Sequence, residues 1–208
     1  MTFEELKALD HQYTMQTYGR FDVALDHGKG ATLYGLEGEV YTDFASGIGV
    51  ASLGYGHPAW VKAVSEQAQK LQHASNLFYT EPYAKVAEKL CKRTGMAAVF
   101  FANGGGEANE GIIKLARKYS FDKYGMGRST IITLHNSFHG RTITTLQATG
   151  QDVFHQYFFP FTEGFRYADA NDLDSVKAQA DDTTCAVMLE LIQGEGGVLP
   201  LDKDFIQA

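Results

Sequence analysis

Cysteine is scarce: Cys91 and Cys185 are the only two in 208 residues, and they stand far apart. This excludes a disulfide framework and predicts two buried free thiols of a reducing compartment, one in a helix and one in a strand. The seven histidines are scattered, with no pair on a predicted helix and no Cys/His spacing that suggests zinc, so no metal site and no cysteine nucleophile is expected. No run approaches the ~18 apolar residues of a membrane span. The first residues, M-T-F-E-E-L-K-A-L-D, are acidic and amphipathic, without the basic-then-apolar order of a signal peptide. Basic runs are missing too, and the net charge of −7 argues against nucleic-acid binding. There is neither an internal repeat nor a low-complexity linker. The expectation is a soluble cytoplasmic protein, engaging neither nucleic acid nor membrane.

What is present suffices for a core: 44% of residues are hydrophobic and 12% aromatic. The length fits one large domain or parts of two. Phe3 to Leu9 reads as a short helix. Ala31–Tyr34 and Val40–Phe44 read as a hairpin around Leu36-Glu37-Gly38. The Gly-rich segment Ser46 to His57 reads as a loop. Pro58 marks the first turn of a helix with an apolar face of Val61, Val64, Ala68 and Leu71. Thr80 and Pro82 signal another helix start, and Gly95 its end. Gly125 and Gly127 break the chain before a strand over Thr130–Leu134. Asn171 or Asp172 caps a helix through Val176 and Ala180, and Thr183–Leu191 reads as a buried strand. Strands alternating with helices predict an α/β architecture with a largely parallel sheet.

The chain is organised around Val99 to Tyr119, V-F-F-A-N-G-G-G-E-A-N-E-G-I-I-K-L-A-R-K-Y. The apolar run Ala97–Ala102 predicts a buried strand. Gly104, Gly105 and Gly106 follow Asn103, and a helical pattern begins at once. Strand, glycine turn and helix present free N–H groups at a positive helix end, which is an anion site. A P-loop would need Gly-Lys-Ser or Gly-Lys-Thr, whereas Gly105-Gly106-Glu107 stands here. A dinucleotide fingerprint would need a third glycine at Asn109 and an acid ending the next strand, which ends in His135 and Asn136. A phosphate site and an unliganded glycine cap both remain open on these residues alone. Phe138–Arg141 and Glu190–Glu195 also follow predicted strands, where ligands collect in such sheets.

Further segments accompany this stretch: T-Y-G-R-F at Thr17, D-F-A-S-G-I-G-V at Asp43, G-H-P at Gly56, S-N-L-F-Y-T-E-P at Ser75, N-S-F-H-G-R-T at Asn136 and Q-G-E-G-G-V at Gln193. Together, in this order and across essentially the whole chain, they resemble class III (ornithine-type) pyridoxal-phosphate aminotransferases. The resemblance implies a fold-type I transferase, with a partial three-layer αβα large domain and a mostly parallel sheet. Residues 1–55 would be the N-terminal segment of the small domain, and 56–208 the first part of the cofactor-binding large domain. The implied activity is transfer of the δ-amino group of N2-acetylornithine to 2-oxoglutarate in arginine biosynthesis. Ornithine, succinylornithine or 4-aminobutyrate are the alternative donors, and a non-catalytic phosphate-ligand or partner-binding domain is the alternative of another class.

The resemblance also implies roles. Gly105 and Gly106 match the pair whose N–H groups hold the coenzyme phosphate. The family usually has Ser at 104 and Ala or Thr at 106, where this chain has Gly. A hydrogen bond to a charged group is worth about 1.5–3 kcal/mol, so weaker phosphate binding is expected. Phe138 matches the aromatic that stacks on the pyridoxal 5'-phosphate ring, and Glu190 lines the cofactor side. Arg141 matches the arginine for the substrate α-carboxylate, consistent with its bidentate fork. Glu195 matches a glutamate near the substrate end that neutralises a second arginine, and Tyr18 a tyrosine near the substrate. Leu191 stands where the family has Pro, which makes that loop less rigid. His139 is expected as a satisfied structural histidine, and Lys114 and Lys118 as solvated. No catalytic residue falls within these residues: the Schiff-base lysine would lie beyond Ala208, so the 208 residues alone would be an inactive N-terminal half. The whole protein would be a homodimer.

Overall fold

In the computed structural model, which describes all 208 residues, the chain forms two compact units, Met1–Ala84 and Lys85–Ala208.

The first unit opens with α1 (Phe3–Tyr13), started by a reciprocal capping box of Thr2 and Glu5 and carried past Leu9 to Tyr13, where Thr14 N and Oγ1 both donate to Asp10 O. A three-stranded antiparallel sheet follows: β1 (Leu25–Lys29), β2 (Thr32–Gly35) and β3 (Val40–Thr42). The hairpin β2–β3 was legible; β1 was not, because Asp26-His27-Gly28-Lys29 carries no apolar alternation. Gly30 pairs with Tyr55 as an isolated bridge, with both N–H···O distances at 2.9 Å. A Cβ on Gly28 would lie 2.6 Å from the Tyr55 ring, so only glycine allows this approach. The Tyr55 hydroxyl donates to Asp43 at 2.8 Å, which holds that carboxyl below its ordinary range. α2 (Ser46–Gly49) is a distorted turn, with Gly47 and Ile48 at positive φ. α3 (Pro58–Lys70) starts on Pro58 as read, and its apolar face is exposed: Val61, Val64 and Leu71 are each over 40% accessible. α4 (Glu81–Thr94), which begins after Thr80 and stops at Gly95 (φ +75°), runs across the division between the units, with Lys85–Thr94 in the second.

The second unit contains the buried core. α5 (Gly105–Tyr124) runs from the glycine turn to Gly125. β4 (Thr130–Leu134), T-I-I-T-L, is buried at every position, as a β-branched strand covered on both faces should be. After β4 come α6 (Ile143–Ala148), β5 (Phe165–Ala168), α7 (Leu173–Gln179) and β6 (Thr184–Val187). The chain closes with β7 (Ile192–Gln193), β8 (Leu199–Pro200) and α8 (Lys203–Gln207). The sheet order is β5-β4-β6, all parallel. Ile132 and Leu134 face one layer with Ala168, Leu201, Val176 and Phe205. Ile131 faces the other, with Ile113 of α5 and Ala148 of α6. Helices on both faces of a parallel sheet are the expected three-layer α/β arrangement. Each fully buried Ile or Leu contributes about 1.5–3 kcal/mol, so β4 is the strongest local source of stability. Cys91 and Cys185 are free and half-buried, in α4 and β6.

Two strand expectations need correction. Ala97–Ala102 is neither a strand nor largely buried: no strand lies alongside it to form a ladder, and an apolar run without a partner remains irregular. The strand expected over Thr183–Leu191 is regular only at Thr184–Val187. Its last link to β4 is the Met188 N–H donating to Ile132 O at 2.8 Å, after which the chain turns away.

Candidate active site

The carboxyl ends of β4 and β6 and the amino end of α5 carry the candidate residues of the second unit. α5 starts at an N-cap, Gly104, that supplies no side-chain cap, so the first-turn N–H groups, those of Gly105 and Gly106 included, point out of a positive helix end. A Cβ on Gly104 or Gly105 would meet nothing within 4 Å, so the outer side of the turn is open to a ligand. The first-turn acid, Glu107, is turned back: its Oε2 accepts from Asn103 N at 2.9 Å and Asn103 Nδ2 at 3.0 Å. This corner fits the phosphate of pyridoxal 5'-phosphate, with an open cradle, free donors and an engaged carboxylate.

The chain leaving β4 turns sharply at Asn136, whose φ of +64° is a conformation asparagine tolerates. Gly150 packs beneath it so closely that a Cβ would lie 2.1 Å from Leu134 O. Phe138 follows, half-buried, with its ring 5.9 Å from that of Phe154 at 64°. The Phe138 N–H donates to Glu190 Oε1 at 2.9 Å, which joins the β4 and β6 loops. Gly140, at φ +131°, comes against α5: its Cβ would sit 2.9 Å from Gly106 Cα. A Cβ on Gly106 would in turn lie 4.0 Å from Arg141 N. Gly106, Phe138, Arg141 and Glu190 thus belong to one contiguous cluster. Arg141 is exposed and follows directly on the contact with Gly106.

Glu195 occupies the turn between β7 and β8 and is joined to the same cluster. Gln151 Nε2 donates to Glu195 Oε2 at 2.6 Å and to Ser137 O at 3.1 Å. Asn136 Nδ2 donates to Gly196 O at 2.8 Å, and the buried Gln193 donates from Nε2 to His135 O at 2.9 Å. Leu191, between Glu190 and this turn, is exposed. Tyr18 lies in the other unit, 58% exposed, where it lines a cavity of about 530 Å³ with Phe3, Lys7 and Arg20.

His139 departs from its expectation in one respect. It is buried, 3% accessible, but its Nε2 has no hydrogen-bond partner. Burial alone pushes its pKa down to about 4, so the ring is neutral at pH 7. Its backbone is fixed: the N–H donates to Thr149 Oγ1 at 2.9 Å, and its carbonyl accepts from Asn109 Nδ2 at 2.7 Å. The sequence reading missed Asn109, Glu110, Thr142, Thr145 and Gln151. Only the T-x-x-T spacing of Thr142 and Thr145, a helix-start signature, could have announced any of them.

The family model Aminotransferase class-III matches residues 13–208. The acetylornithine aminotransferase of Haemophilus ducreyi is 57% identical over 209 residues, covering 100% of this chain and 53% of that protein. Among solved structures, ornithine aminotransferase from Toxoplasma gondii ME49 superposes with a TM-score of 0.93 at 30% identity, over 100% of this chain and 50% of that one. N-acetylornithine aminotransferase from Stenotrophomonas maltophilia K279a gives 0.75 at 39% identity, over 96% and 48%. The chain spans about half the length of the curated relatives it matches. With nearly every residue inside the family model and the strand-end cluster in place, the chain belongs to the class-III aminotransferase family.

Proposed function

We propose that the whole protein transfers the δ-amino group of N2-acetylornithine to 2-oxoglutarate with pyridoxal 5'-phosphate, in arginine biosynthesis. The observation that carries this reading is the cluster in which the open glycine corner, Phe138, Arg141 and Glu190 adjoin through backbone contacts. The choice of donor rests on the name borne by the relative at 57% identity. Ornithine as donor is the second reading; the TM-score of 0.93 to an ornithine aminotransferase at 30% identity supports the shared fold rather than the donor. Succinylornithine and 4-aminobutyrate complete the set of alternatives.

The coenzyme, when bound, supplies an electron sink for the amino carbon of the substrate. The chain does the holding. Gly105 and Gly106 N–H groups take the phosphate, where the helix end favours a dianion. Phe138 stacks on the ring, its backbone pinned by Glu190, which also lines the cofactor side. Arg141 grips the substrate α-carboxylate with a charge-assisted fork. Glu195, held by Gln151, neutralises a second arginine near the substrate end, so that one site accepts both the ω-amino donor and 2-oxoglutarate. Tyr18 borders the substrate.

Residues 1–55 are assigned to the small domain and 56–208 to the cofactor-binding domain, in a cytoplasmic homodimer that acts on small amino and keto acids and engages neither nucleic acid nor membrane. No helix is long and apolar enough to cross a membrane. The test is a donor panel on the coenzyme-loaded whole protein, read as kcat/KM with 2-oxoglutarate as acceptor. N2-acetylornithine should rank first; a higher value on ornithine selects the second reading, and no amino transfer from any donor defeats both.

A further inference from the structure

The face of α5 that carries the phosphate corner also carries a second device. Gly106, Asn109, Glu110 and Ile113 follow one another at the spacings that place residues on a single stripe of a helix. Ile113 anchors the stripe in the core against Ile131 and Ala148. The other three all meet the segment between Phe138 and Thr142. Asn109 Nδ2 donates to His139 O at 2.7 Å. Glu110 Oε1 accepts from Thr142 Oγ1 at 2.5 Å. Gly106 and Gly140 approach backbone to backbone, with room for no Cβ on Gly140.

The same segment is gripped from the opposite side. Thr142 caps α6: its Oγ1 accepts from Thr145 N at 3.2 Å and lies 2.7 Å from Thr145 Oγ1. Thr145 Oγ1 in turn accepts from Thr142 N at 3.1 Å, and Thr149 Oγ1 from His139 N. Arg141 is therefore the single residue between neighbours, His139–Gly140 on one side and Thr142 on the other, that are held to α5.

We infer that Asn109 and Glu110 are positioning residues: they clamp the 139–142 segment to α5 and so fix where Arg141 presents its charge relative to the phosphate corner. Each acts through the segment that carries Arg141, Asn109 on the His139 carbonyl and Glu110 on the Thr142 hydroxyl. Both bonds are half-buried, where water competes poorly and a fixed acceptor holds its donor. Glu110 matters as an acceptor oxygen, so the amide of glutamine should serve nearly as well. The distance between a phosphate anchor and a carboxylate anchor sets the length and orientation of the molecule that bridges them, so the clamp bears on substrate fit rather than on coenzyme retention. The inference rests on the aminotransferase reading for the role of Arg141, but not for the clamp itself.

The experiment uses the whole protein and its Glu110→Ala, Asn109→Ala and Glu110→Gln variants. Expected for the two alanine variants are KM values for donor and 2-oxoglutarate raised about tenfold, the size of a lost hydrogen bond of about 1.4 kcal/mol. The coenzyme Kd should stay within about twofold, because the Gly105 and Gly106 N–H groups are untouched. Glu110→Gln should restore the KM. In the coenzyme-free protein, trypsin should cut after Arg141 faster in the alanine variants than in wild type. Unchanged KM and unchanged cleavage at Arg141 would overturn the clamp. So would KM and coenzyme Kd worsening together in proportion to the drop in urea midpoint, since that is general loosening. Should Glu110→Ala not fold, Thr142→Val, against Thr142→Ser as the hydroxyl-keeping control, is read by the same criteria. Wild-type protein inactive on every donor, with cleavage nonetheless accelerated in the variants, would refute the aminotransferase reading and leave the clamp standing.

Discussion

Gly140→Ala is the substitution for which the structure gives the sharpest expectation. The residue sits at φ +131°, a region that side-chain-bearing residues enter only under strain of about 1–3 kcal/mol. The added Cβ would lie 2.7 Å from Thr145 Oγ1, 2.9 Å from Gly106 Cα and 3.1 Å from Thr145 Cβ. None of these neighbours is the free end of a flexible side chain. Thr145 Oγ1 is held by Thr142, and Gly106 Cα is the backbone of the first turn of α5. Overpacking of this kind adds about 1–3 kcal/mol, so the total comes to about 2–6 kcal/mol against a typical domain stability of about 5–15. Because Asn109 and Glu110 hold the 139–142 segment against α5, the added Cβ presses on Gly106 Cα itself, and relief comes by shifting the first turn of α5, which displaces the Gly106 N–H from the phosphate corner. Urea unfolding of the coenzyme-free whole protein should show the loss of stability, and titration with pyridoxal 5'-phosphate an affinity at least about tenfold weaker. Gly104→Ala is the matched control: its φ of −162° is ordinary extended backbone and its Cβ meets nothing, so only the poorer N-cap is felt, a loss of about 0.5–1 kcal/mol. If Gly140→Ala proves as stable and as tight-binding as that control, the close approach of the loop to α5 is wrong.

Gly104→Ser should stabilise α5 by a few tenths of a kcal/mol through an N-cap hydroxyl and should tighten coenzyme binding, measured by the same titration; weaker binding would mean that the corner does not receive the phosphate. His139 should make stability fall with acid. In the unfolded chain the imidazole takes up a proton as pH falls through about 6.5, whereas folded His139 resists until about 4. The contribution is therefore whole above pH 6.5 and is lost as pH falls toward 4, by about 3 kcal/mol. Chemical denaturation between pH 7 and 4 should show His139→Gln with a flatter profile than wild type.

Local pattern made some of this fold legible and hid the rest for identifiable reasons. β4 was readable because T-I-I-T-L is β-branched and apolar enough to demand cover on both faces. α3, α4 and α5 were readable because Pro58, Thr80, Gly95 and the triple glycine are start and stop signals with a mechanism. The run Ala97–Ala102 misled because hydrophobicity reports a wish for burial and says nothing about a ladder partner. α6 went unread because it is six residues long and rests on a threonine capping box rather than on apolar periodicity. At the site, glycines and loop positions were visible, but the bonds that assemble them were not. Phe138 reaches Glu190 across 52 residues, Asn136 reaches Gly196 across 60, and Gln151 reaches Glu195 across 44. No periodicity encodes pairings at such separations.

The glycine-rich corner also divides into parts that sequence treats as one. At Gly104 and Gly105 a side chain would stand in open space, so what glycine provides there is access to the backbone from outside. At Gly106 a Cβ would make ordinary contacts, 3.7 Å to Thr142 Cγ2 and 4.0 Å to Arg141 N, so a methyl group would fit and pack on the loop. The position that admits no side chain is Gly140, which belongs to a different segment and was singled out by no run of glycines. It is Gly140 that lets the loop bearing Arg141 lie against the first turn of α5, at the distance where Asn109 and Glu110 can reach it. The triple glycine therefore shapes the side of the corner that faces a ligand, while the lone glycine after His139 shapes the side that faces the protein. On the proposed function, the spacing between the phosphate and carboxylate anchors depends on the second at least as much as on the first.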